Sequence, residues 1–136
     1  IHKDDDKKIK VIAGKFGEAE GPVKGHNVEP VYFDIEIKKE KEFNFNLPST
    51  HNSLIYLIEG EVKVGEQNHD PVKDSTLIIL TRGEKLKVSG LTKSKFLLIS
   101  GKPIGEPIAR GGPFVMNTKE EILKAEQDYH NGTFVK

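Results

Sequence analysis

Positions 31–38 alternate without a break, with Val31, Phe33, Ile35 and Ile37 on one side and Tyr32, Asp34, Glu36 and Lys38 on the other. A period of two marks a β-strand with one face buried and the other in water. After a charged turn, Phe43, Phe45 and Leu47 repeat the pattern. Positions 54–58 differ, because Leu54, Ile55, Tyr56, Leu57 and Ile58 form an unbroken apolar run. Such a run predicts a strand covered on both faces. Gly60 then permits a bend, and Val62 and Val64 resume the alternation up to Gly65. Further short strands are predicted at 9–13, 76–80, 85–89 and 96–100. Between them lie turn signals at Gly21 with Pro22, Asp70 with Pro71, Arg82 with Gly83, and Gly90.

About eight short strands with frequent turns predict an all-β fold, an antiparallel sandwich or barrel. A single helix is predicted near the C-terminus. Thr118 is its N-cap, and Glu121 three positions later completes a capping box. Ile122, Ala125 and Tyr129 lie along one helix face with Leu123 beside them, while Glu120, Lys124 and Asp128 face away. Asn131 and Gly132 supply a left-handed stop. Between the last strand and this helix, prolines and glycines force an irregular excursion that ends in the apolar plug Phe114, Val115 and Met116.

The chain has 136 residues, which suits one ordinary domain. The expected division is a barrel over about 9–101, a Gly/Pro-rich excursion at 102–117 and a helix over about 118–131. The absence of cysteine excludes disulfides, thiolate metal sites and a cysteine nucleophile. The 21 basic and 21 acidic residues cancel, so no net field draws the chain to nucleic acid or an anionic membrane. The charged run at 3–8 reads as a solvated terminus with linker character. No apolar run approaches the ~20 residues of a membrane span, and no signal peptide is visible. An intracellular, cytoplasmic protein is the expectation. The chain opens on Ile1 and its only methionine is Met116, which predicts a piece of a longer protein.

Candidate chemistry is sparse. The five histidines are His2, His26, His51, His69 and His130, and no two stand at metal-ligand spacing. His51 has two readings: a displaced ligand or general base in a barrel mouth, or a turn residue between Pro48 and the strand that follows. The second is preferred, because a lone imidazole makes a poor metal site. His69 falls in a polar hairpin loop, His26 in a loop after Gly25, and His130 at the negative end of the helix. Ser49, Ser53 and Ser100 lack the context of a nucleophile elbow. Arg110 precedes Gly111 and Gly112, which let other backbone approach closely, so it is a candidate ligand or interface contact.

The stretch 101–134 carries the most specific signal: Gly101, the Pro/Gly excursion, Phe114 to Met116, the capped helix, then Tyr129, His130, Asn131, Gly132, Thr133 and Phe134. In this order the segments resemble the C-terminal signature of the pirin family, two-domain proteins of the cupin superfamily. Ile9 to Gly14, Gly21 to Val23, and His51 with Asn52 resemble the C-terminal half of that family more loosely. The resemblance implies an antiparallel jelly-roll, cupin-like β-barrel with one C-terminal α-helix. Residues 53–65 resemble the strand pair of the first cupin motif. Counting back from Gly60, the resemblance places the family's glutamate ligand at Ser53 and its histidines at Leu47 and Ser49. The second motif places a further histidine near Leu86. None of these supplies the donors an iron site uses, so no catalytic or metal residue carries over.

The resemblance therefore implies the non-catalytic C-terminal half of a pirin-like protein, with no cofactor in this chain. Iron or a similar divalent metal is expected in the N-terminal cupin domain of the parent. Some family members resemble quercetin 2,3-dioxygenases, and mammalian pirin is a nuclear transcription cofactor. The alternative is a stand-alone degenerate cupin that binds a small ligand or a protein. His51, Arg110, Phe114, Met116 and Tyr129 are the candidate ligand or interface contacts. The expected partner is the N-terminal cupin domain, with a homodimer in isolation built on Phe114, Val115, Met116 and the stripe Ile122, Ala125 and Tyr129.

Overall fold

The computed structural model describes residues 1–25, 27–66 and 70–135. They fall into two compact units, Ile1–Pro103 and Ile104–Lys136. In chain order the first unit holds β1 (His2–Lys3), β2 (Lys7–Ala13), β3 (Lys15–Phe16), β4 (Ala19–Glu20), β5 (Val31–Ile37) and β6 (Glu42–Asn46). It continues with β7 (Asn52–Glu59), β8 (Glu61–Val64), β9 (Val72–Lys73), β10 (Thr76–Ile79), β11 (Lys85–Gly90) and β12 (Ser94–Gly101). The loop positions of His26 and His69 lie outside the described residues.

Two antiparallel sheets share one core. The larger runs in the order β1-β2-β5-β12-β7-β10 and the smaller in the order β6-β11-β8-β9. Among the described residues no strand pair joins the two sheets. The chain passes repeatedly from one sheet to the other, so β5 finds its partners in β2 and β12 rather than in the adjacent β6. On β5 the alternation is realised in full: Val31, Phe33, Ile35 and Ile37 are buried and the residues between them are half-buried. Aromatic rings knit the sheets together, with Phe33 5.0 Å from Phe45 and Phe43 5.8 Å from Phe96 between ring centroids, both edge to face. Burying each such ring contributes about 1.5–3 kcal/mol. Gly60 joins β7 to β8 at φ 100°, and a Cβ there would run into the Ser94 side chain.

Two expectations are corrected. The run at 54–58 is not covered on both faces: Ile55 and Leu57 enter the core, while Tyr56 and Ile58 stay exposed. The reason is that no strand or helix of the first unit, among its described residues, lies over the outer face of this sheet. Cross-strand register builds two apolar rows there, Leu77–Tyr56–Leu97 and Ile79–Leu54–Ile99–Tyr32. Leu77 is 54% exposed and Ile79 78%. The first row ends against charge, where Asp34 lies 3.4 Å from Lys10 and 3.8 Å from Lys95. The second correction concerns 3–8: Lys3, Asp4 and Asp5 are exposed as a solvated terminus would be, but the run is ordered rather than linker-like. Asp4 Oδ1 accepts from the backbone N–H groups of Asp6 and Lys7 at 2.8 Å each, and this turn folds β1 back onto β2.

The second unit is a hairpin packed on a helix. β13 (Ala109–Gly111) pairs with β14 (Phe114–Met116), and α1 (Lys119–His130) follows. Thr118 Oγ1 accepts from Glu121 N–H at 3.2 Å, while Thr118 N–H donates to the Glu121 carboxylate at 2.9 Å, completing the capping box. At the other end Gly132 sits at φ 70°. Its N–H reaches Tyr129 O at 3.1 Å, and Thr133 N–H reaches Asp128 O at 2.8 Å, the paired bonds of a Schellman stop.

Candidate functional site

The four positions that the family resemblance assigns to metal ligands meet different fates. Leu47 and Leu86 are buried and line a cleft of about 350 Å³. Leu47 is fixed by its N–H donating to Glu84 O at 2.9 Å, and Leu86 sits opposite Phe45 on β11. Val64, Val72, Ile78 and Leu80 complete the aliphatic wall. Ser49 is exposed in the turn after Pro48. Ser53 lies on the same side of β7 as Ile55 and Leu57, and its hydroxyl bonds to Ser100 Oγ at 2.8 Å. Aliphatic carbon offers a metal no lone pair, and two hydroxyls are poor substitutes for imidazole and carboxylate. The mouth does not fit iron. Among the described residues no three His, Cys, Asp or Glu side chains converge on one point.

Charge at the cleft is partly neutralised in place. Lys87 bonds the Glu42 carboxylate at 2.9 Å, which holds Glu42 below the ordinary glutamate value. Lys85 also lines the cleft and has no carboxylate within ion-pair distance among the described residues.

His51 departs from the preferred turn-residue reading. Its backbone N–H does close a turn onto Pro48 O at 3.0 Å, yet the residue is only 4% exposed. Nδ1 lies 3.2 Å from Ser100 Oγ, so Ser53, Ser100 and His51 form one hydrogen-bonded chain inside the core. Nε2 is buried without a hydrogen-bond partner among the described residues, and the nearest carboxylate is Glu29 Oε2 at 3.9 Å. Ser100 and Glu29 were not legible as participants. The available signal was parity: Ser100 shares the core side of β12 with Phe96 and Leu98, where a polar residue requires a partner. Ser100 is buried and its hydroxyl is committed to its neighbours, so it presents no free nucleophile.

The remaining candidates gather in the second unit. Arg110 is exposed on β13, opposite Val115. Among the described residues no backbone approaches Gly111 or Gly112 as expected from sequence; the group against Gly111 is the Ile122 side chain, whose Cγ2 occupies the space a Cβ would take. Ile122 and Ala125 are buried by α1 packing on its own hairpin, so they are not available to a partner. Phe114 and Met116 are half-buried, and Tyr129 is 65% exposed with its ring 6.0 Å from Phe114. Of the other histidines, His130 Nδ1–H donates to Glu126 O at 2.7 Å, and His2 stacks edge-on to Phe16 at 5.0 Å.

Comparison with known proteins agrees with this geometry. Residues 32–135 match the family described as the pirin C-terminal cupin domain. A pirin-like protein of Caulobacter vibrioides is 36% identical over 128 residues, covering 93% of this chain and 45% of that protein. A pirin-like protein of Solanum lycopersicum is 38% identical over 104 residues, 75% of this chain and 36% of that protein. The crystal structure of a quercetin 2,3-dioxygenase from Acinetobacter baumannii superposes with a TM-score of 0.82 at 32% identity, over 97% of this chain and 45% of that one. The chain spans about half the length of these relatives or less. No helix among the described residues is long and apolar enough to cross a membrane.

Proposed function

The chain belongs to the pirin family as its C-terminal cupin domain, and from that premise we propose that it is the non-catalytic half of a two-cupin protein. The two sheets are read as the jelly-roll barrel of a cupin with its metal chemistry lost. Its work is to dock on, and hold in shape, an N-terminal cupin domain that carries iron or a similar divalent metal. The parent would then perform dioxygenase-like chemistry of the kind named for the Acinetobacter baumannii relative, in the cytoplasm.

The observation that carries this reading is the outer face of the six-stranded sheet. Two registered apolar rows, one of them ending at the Lys10–Asp34–Lys95 charges, have the layout of an interface, with an apolar centre and charge at one edge. The relatives contain the occupant's length: more than half of each lies outside the matched segment. Without that domain the face is left to a second copy, so the isolated chain is expected to form a homodimer.

Hydroxyl-radical footprinting of Tyr56 and Leu77 tests the proposal in the longer reading frame and in the isolated chain diluted to monomer. Protection of both residues in the longer protein alone supports it. Equal reactivity in the two, or a longer frame without a histidine-bearing cupin, contradicts it. The second reading, a ligand-binding module, is favoured by the aliphatic cleft beneath Leu47 and Leu86.

A further inference from the structure

The cleft at the mouth of the sheets has a chemistry of its own. Its wall is made by Leu47, Val64, Val72, Ile78, Leu80 and Leu86, contributed by both sheets and the segments that link them. Leu47 and Leu86 are buried in the core and therefore fixed, while Val64, Val72, Ile78 and Leu80 are partly buried against it. At about 350 Å³ the space lies within the range of small-molecule sites. Its polar groups are exposed side chains at the rim, Asp70, Thr81 and Lys85, together with Lys87, which is already paired with Glu42. No buried charge faces the interior to meet an ion, and an ion placed there would lose its water without compensation. An aliphatic wall of this kind accepts apolar guests in preference to ions.

We infer that this cleft is a binding site for a small uncharged apolar molecule, aromatic or aliphatic, seated between Leu47 and Leu86 where a metal-binding cupin would hold its ion. The site deepens the ligand-binding reading and does not depend on the pairing of the outer face. The guest's apolar body replaces the metal as the filling of the mouth, and the exposed rim leaves a polar tail, if it has one, in water.

The test uses the intact chain and the neutral fluorescent probe N-phenyl-1-naphthylamine. Saturable binding is expected, with Val64→Trp, which fills the cleft, weakening it by about tenfold or more. Leu77→Lys, on the outer face, is expected to leave affinity within about twofold. Methyl carbon–proton spectra of the unsubstituted chain provide a readout free of folding effects: Leu47, Val64, Ile78 and Leu86 should shift with probe, and Leu77 should not. Absence of saturable binding, or shifts confined to Leu77 and its neighbours, overturns the inference. Loss of footprint protection at Tyr56 in the longer protein would instead sink the pairing reading and leave this one standing.

Discussion

His51 and Ser100 meet at 3.2 Å, imidazole Nδ1 to hydroxyl Oγ, inside a core otherwise built from aliphatic and aromatic side chains. Ser53 extends the contact at 2.8 Å, so the two hydroxyls and His51 Nδ1 form one chain while His51 Nε2 has no hydrogen-bond partner among the described residues. The low dielectric around them strengthens these bonds and makes any orphan costly.

Ser100→Ala leaves the His51 Nδ1 without its partner. Leaving a buried polar group unsatisfied costs about 1–3 kcal/mol, read as a lower midpoint in urea unfolding. Ser49→Ala, in the exposed turn, should stay within about 0.5 kcal/mol of the unsubstituted chain. Equal effects from the two substitutions would show that the buried chain carries no stability.

Gly111→Ala places a methyl group against Ile122 Cγ2. Overpacking of this kind costs about 1–3 kcal/mol, and it should act on the hairpin–helix unit. Amide hydrogen exchange is expected to accelerate in 119–130 while β5 and β12 keep their protection. Unchanged exchange in the helix would contradict the close approach.

Asp4 gives a pH signature. The Asp6 and Lys7 backbone N–H groups hold its carboxyl well below the ordinary aspartate value. A depressed folded value means that the turn's contribution is fully present above the unfolded value. It is lost only as pH falls through the lower, folded one. A carboxyl-carbon titration should find Asp4 still ionised where an ordinary aspartate has taken up its proton, and the β1–β2 pairing intact there. Protonation in step with an ordinary aspartate would contradict the turn.

The outer sheet face should drive association when the chain is alone. Sedimentation equilibrium in the micromolar range is expected to show a dimer, with Leu77→Lys and Tyr56→Lys shifting it to monomer. A monomeric mass for the unsubstituted chain, or a dimer indifferent to both substitutions, would contradict this use of the face.

The sequence makes local order plain and leaves long-range order hidden. The period of two at 31–37 is enough to assign which residues of β5 face the core, and Thr118 with Glu121 is enough to start the helix. Which strands flank β5 depends on pairings with β2 and β12 across most of the first unit, and no local pattern encodes them. An apolar run such as 54–58 reads the same whether its outer side meets another layer of the same chain or a surface awaiting a partner. His51 is the opposite case. A histidine in a turn after proline signals solvent, and only the distant Ser100, brought alongside by the pairing of β7 with β12, makes its burial affordable. At the charged start the exposure of Lys3 to Asp5 was legible, while the Asx turn at Asp4 that orders them was not.

Equilibrium dialysis of the 136-residue chain against iron(II), zinc and nickel, followed by elemental analysis, tests the central claim most directly. Leu47 and Leu86 at the mouth, and Ser53 bound to Ser100, leave no donor set for any of the three. The account predicts retained metal far below stoichiometry and no oxidation of quercetin by the loaded sample. Retention of about one metal ion per chain, abolished by His51→Ala or Ser53→Ala, would contradict it.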